Sequence, residues 1–83
     1  MKLQPRELSA RRILRNGVLL AVLRVVDHGN VFKVTAEVFR QGTDGRDADI
    51  RPYTFREHND AVAFVEDAVG TFSHLGCHVQ DLY

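Results

Sequence analysis

Apolar and polar residues alternate most cleanly in VFKVTAEVFR, where Phe32, Val34, Ala36 and Val38 interleave with Lys33, Thr35 and Glu37. That period of two is the signature of a half-buried strand. The run VLLAVLRVV before it is joined through Asp27-His28-Gly29-Asn30 and forms a second strand. Asn16-Gly17, ahead of that run, is a strong hairpin signal, because a type I′ turn needs positive φ at both central residues. A short strand should therefore precede it. After the polar loop GTDGRDAD, IRPYTFR supplies a further strand. Pro52 has no N–H for a ladder, so that strand lies at a sheet edge or contains an irregularity. From Asn59 the period lengthens to 3.6: Ala61, Val62, Phe64, Val65, Ala68, Val69, Phe72 and Leu75 share one arc, opposite Asp60, Glu66, Asp67, Ser73 and His74. Asn59 is the expected N-cap and Gly76 the expected left-handed C′ residue.

This order predicts an α+β domain, a four-stranded antiparallel meander sheet with one C-terminal amphipathic helix packed on one face (ββββα). Within a single domain over residues 1–83, residues 1–10 are expected to be flexible or irregular, 11–56 to form the sheet, 59–75 the helix and 76–83 a tail. If the turn at 27–30 closes symmetrically, Val25 faces Phe32, Leu23 faces Val34, Ala21 faces Ala36 and Leu19 faces Val38, and one sheet face is wholly apolar. The other face then carries Val18, Leu20, Val22, Val26, Val31 and Phe39 beside Arg24, Lys33, Thr35 and Glu37. That is too much apolar surface for a face in contact only with water, so these positions are candidate interface residues.

Composition narrows the picture. An apolar fraction of 45% and a charged fraction of 27% exclude disorder as the default state. The single cysteine cannot close an internal disulfide and MKLQPREL lacks an apolar leader, so the expected location is the cytoplasm. The longest apolar run, Val18 to Leu23, is too short to cross a bilayer. The 11 basic and 11 acidic residues are unevenly spread. Residues 1–16 hold five basic side chains against Glu7 alone, whereas residues 57–83 hold five acidic ones and no Lys or Arg. A basic side and an acidic side follow.

The stretch SHLGCHV concentrates His74, Cys77 and His78, but a helix ending at Gly76 separates them, and structural zinc needs four ligands. No metal and no cofactor are expected. Catalysis through Cys77 would need a base aimed at the thiol, and the adjacent His78 normally points elsewhere. Asp44, Asp47 and Asp49 lack an EF-hand's ligand spacing. The chain is not expected to be an enzyme. Arg24 and Lys33, cross-strand partners in the symmetric register, are like charges that an anion would relieve. Arg51, Tyr53 and Phe55 add a cation and two rings on the edge strand, the ingredients of a single-strand stacking platform.

The run from VLLAVLRVV through DHGN, VFKVTAEVFRQ, GTDGRDADIRP, YTFRE and NDAVAFVEDAV resembles the four-strand-plus-helix layout of single-stranded-DNA-binding coactivators of the positive-cofactor-four type and of PUR and Whirly modules. The resemblance covers about residues 11 to 76. It implies binding of single-stranded DNA or RNA through basic and aromatic residues on curved strands, and assembly as dimers. Carried over, it points to Arg24 and Lys33 on the hairpin, Arg51 and Tyr53 on the last strand, and Arg12 or Arg15 at the start. Two functions are therefore expected in turn: single-stranded nucleic-acid binding through the exposed sheet face, or a protein-interaction or homodimerisation module.

Overall fold

The computed structural model describes residues 4–39 and 48–82. The elements are β1 (Arg6–Arg15), β2 (Val18–Asp27), β3 (Phe32–Phe39), β4 (Ala48–Phe55), α1 (His58–His74) and β5 (His78–Asp81). The fold is α+β: five strands in the order β4-β3-β2-β1-β5, every neighbouring pair antiparallel, with the helix laid over one face. The meander of β1 to β4 is the expected one. Asn16 and Gly17 take positive φ of 52° and 79°, the I′ geometry their pair encodes.

Three boundaries differ from the sequence reading. First, residues 6–10 are not irregular: β1 begins at Arg6 and runs for ten residues. Two β-bulges interrupt its ladder with β2, one at Leu20 of β2 and one between Glu7 and Ser9, and the latter breaks the simple alternation that would have marked β1. Second, the tail contains a strand. The helix carries the chain from the β4 edge across the sheet to β1, where Arg11 to Leu14 pair with Asp81 to His78. Third, the helix starts one residue early, with Glu57 at the N-cap making no side-chain cap bond and Asn59 inside the first turn.

The β2–β3 register is also shifted. Asp27 pairs with Phe32, Val25 with Val34, Leu23 with Ala36 and Ala21 with Val38. The turn is centred on Gly29-Asn30 rather than one residue earlier: the His28 N–H donates to the Val31 carbonyl at 2.9 Å, and Gly29 has φ of 94°, the first central position at which a type II′ turn requires glycine. The Asp27 carboxylate accepts the Gly29 N–H at 2.8 Å and holds the chain there. Each pairing moves by two residue numbers, so the side chains paired between β2 and β3 keep their expected faces. Arg24 and Lys33 do not pair directly. Arg24 lies opposite Thr35, and Lys33 opposite Val26.

The core lies between α1 and its sheet face. Ile13, Ala21, Leu23, Val25 and Val34 are buried against Ala61 and Val65, and Phe64, Ala68, Val69 and Phe72 flank them from the helix. Val62 and Leu75, at the margins of the apolar arc, remain 37% and 59% exposed. The helix ends in a Schellman motif: Gly76 at φ of 87° donates to the Ser73 carbonyl and Cys77 to that of Phe72, both at 3.0 Å. That reversal returns the chain to the sheet and delivers Val79 to the core. Arg11 then fastens three elements, reaching Glu66 of α1 at 2.7 Å and Asp81 of β5 at 3.0 Å. The hydrogen bond to Glu66 raises the Arg11 pKa against opposing desolvation.

Phe72→Ala removes a half-buried ring at the point where helix, cap and β5 meet. The expected cost is about 3 kcal/mol, the lower end for aromatic core truncations. Chemical denaturation should show a lowered midpoint; a curve superimposable on the parent's would mean the ring carries no packing energy.

Candidate docking face

The sheet face opposite the helix is built by side chains of alternate parity. Cross-strand neighbours share a face. Three rows of such neighbours can be followed from β1 to β4: Arg12, Val22, Glu37, Ile50; Ala10, Arg24, Thr35, Pro52; and Glu7, Val26, Lys33, Thr54. Ala10 and Val22 are nearly inaccessible, at 2% and 5%, although no described element covers them. Arg24, bonded to a carboxylate on each neighbouring strand, lies across the strands between them.

Arg24 sits at the centre between two glutamates. Its Nη1 donates to Glu7 Oε1 at 2.7 Å and its Nε to Glu37 Oε1 at 3.3 Å. The bond to Glu7 raises its pKa, with desolvation opposing and Glu37 adding a smaller contribution in the same direction. The bulge after Glu7 brings that carboxylate onto the Arg24 face, 17 residues away in sequence. An anion is therefore not what relieves this arginine; the chain's own carboxylates do. Lys33 is exposed and makes no ion pair among the described residues.

The candidate nucleic-acid residues are not gathered on one surface. Arg12, Arg24 and Lys33 share the helix-free face. Arg51 and Tyr53 pair with Ala36 and Val34 and so belong to the helix side, where the Tyr53 ring lies 4.6 Å from that of Phe64. Phe55 packs on the same ring at 5.4 Å. Arg15 is exposed at the end of β1 beside the Asn16-Gly17 turn. Of the candidate interface residues, Val22, Val26 and Phe39 lie on the helix-free face, while Val18 and Leu20 sit at the turn end of β2, with Leu20 in the bulge, and Val31 in the second turn. The sequence reading missed Glu7, Ala10 and Ile50. Ile50 is 63% exposed on an edge strand and is the largest accessible apolar group of this face.

His74 and His78 are exposed on α1 and β5, and Cys77 packs half-buried against the core between them. Among the described residues no group of three or more His, Cys, Asp or Glu is placed to hold a metal ion. Asp44 and Asp47 of the polar loop lie outside the described residues. No described helix is long and apolar enough to cross a membrane. Comparison of the chain with protein-family models, curated proteins and solved structures gives no match.

Replacing Arg24 with Met, which keeps the stem and removes the charge, leaves Glu7 and Glu37 facing one another across β2. Partly exposed pairs of this kind are screened, so the expected loss is about 1 kcal/mol at low ionic strength. Raising the salt to about 1 M, where the Debye length falls to about 3 Å, should recover part of it. A stability unchanged from the parent at low salt would show that the arginine does not hold the two carboxylates.

Proposed function

We propose that this chain is a non-catalytic interaction module that docks a protein surface onto its helix-free sheet face. The observation that carries this reading is the state of the face itself. Its central cation is already neutralised by Glu7 and Glu37, apolar Val22, Val26, Phe39 and Ile50 surround it, and the rings of Tyr53 and Phe55 lie on the opposite side of the sheet against Phe64. Single-strand binding without sequence preference joins a basic track to stacking rings on one surface. Here Arg12, Arg24 and Lys33 lie on one surface and the rings of Tyr53 and Phe55 on the other, with Arg51 alone beside them, and the formal net charge is zero. A protein–protein interface has a different recipe, an apolar centre with few bare charges and a polar rim. On this face the central charges are few and already paired, Arg24 with Glu7 and Glu37, and apolar Val26, Phe39 and Ile50 lie around them.

Titration with a fluorescent oligo-dT strand over a range of salt concentrations separates the two uses. A docking module should show no binding that steepens as salt falls. Binding whose salt slope drops by about one unit per cation removed in Arg12→Ala and Lys33→Ala would assign the face to phosphate contacts instead.

A further inference from the structure

Resting on the reading of this face as a docking surface, we propose that its partner is a second copy of the chain, stacked face to face about a two-fold axis that runs across the strands along Ala10, Arg24, Thr35 and Pro52. These four are successive cross-strand partners in β1, β2, β3 and β4. An axis lying in the interface along that row keeps each strand over its own counterpart and inverts positions along it. The row on one side, Arg12, Val22, Glu37 and Ile50, then falls over the row on the other side, Glu7, Val26, Lys33 and Thr54, of the second copy. Arg12 meets the second copy's Glu7, Val22 meets Val26, and Glu37 meets Lys33. Every charged position outside the axis thus faces its opposite, and the β2 positions flanking Arg24 pair valine with valine.

The same superposition brings Arg24 toward Arg24. Each arginine arrives already clamped by Glu7 and Glu37 of its own copy, so the two centres meet as ion clusters rather than as bare cations. Lys33, exposed and without an ion pair among the described residues, gains its partner only across the axis. The size also fits. Strands of eight to ten residues at ~3.3 Å per residue, spaced ~4.8 Å apart, give a face of roughly 500–630 Å². Two such faces bury roughly 1,000–1,300 Å², at the lower end of the range of specific interfaces. Stacked sheets lie about 10 Å apart, a gap that Arg, Lys and Glu side chains span. With a formal net charge of zero, two copies approach without long-range repulsion.

Sedimentation velocity and light scattering of the full chain over a concentration series up to millimolar test this. The parent is expected to approach twice its 9.4 kDa mass. Ile50→Lys, at a position open in the single copy, should leave the fold intact and weaken association about tenfold or more, since it places a cation in the interface. Lys33→Glu should weaken association comparably by facing Glu37 of the second copy. Leu75→Lys, on the helix side, should change nothing. A parent that stays monomeric throughout overturns self-pairing while leaving the docking face open to another protein. A dimer indifferent to both Ile50→Lys and Lys33→Glu overturns self-pairing through this face.

Discussion

One sheet can be covered on one side by one helix, and everything distinctive about this molecule follows from that limit. The helix spends its apolar arc on Ile13, Ala21, Leu23, Val25 and Val34, and Ala61 and Val65 disappear beneath it. Among the described residues no second layer lies over the opposite face. That face satisfies itself within the sheet. It does so by laying long side chains sideways: Arg24 across to Glu7 on one neighbouring strand and to Glu37 on the other. The result is a surface whose inner atoms are dry before any partner arrives.

The two arginine clusters divide the work between the faces. Arg11 points to the helix side and ties α1 and β5 to β1, so it stabilises the layer that is already closed. Arg24 points the other way and ties β1, β2 and β3 to each other. Both clusters depend on β1, the strand that lies between β2 and β5 and that carries the bulge at Leu8. A charged strand is thereby turned into the organiser of both surfaces. Its composition, RELSARRILR, would suit a solvated edge if β5 did not cover part of its outer side.

What the sequence reveals about the fold tracks how local each cause is. The I′ turn at Asn16-Gly17, the alternation of β3 and the apolar arc of α1 depend on neighbours within a few residues, and each is readable. Moving the second turn by one residue altered every β2–β3 pairing yet left the faces unchanged, because parity survives a shift of two in the pairing sum. β5 is four residues long and owes its existence to where the Schellman motif sends the chain. No short pattern announces that. The site was less legible than the fold for the same reason. Parity alone assigns Arg24 and Lys33 to one face and Arg51 and Tyr53 to the other, but only once the β3–β4 pairing of Val34 with Tyr53 is known. The Glu7 clamp rests on a bulge, which the alternation of residue types conceals.

The central claim is that the helix-free face is dry in its interior but unfinished at its surface until a partner covers it. Methyl NMR with a soluble paramagnetic probe measures this directly, face by face. The account predicts that, as protein concentration rises, the methyls of Ile50 and Val26 lose contact with the probe while those of Val62 and Leu75 on the helix side keep theirs. Probe contact at Ile50 and Val26 that stays constant across concentrations, matching the helix-side methyls, would contradict it.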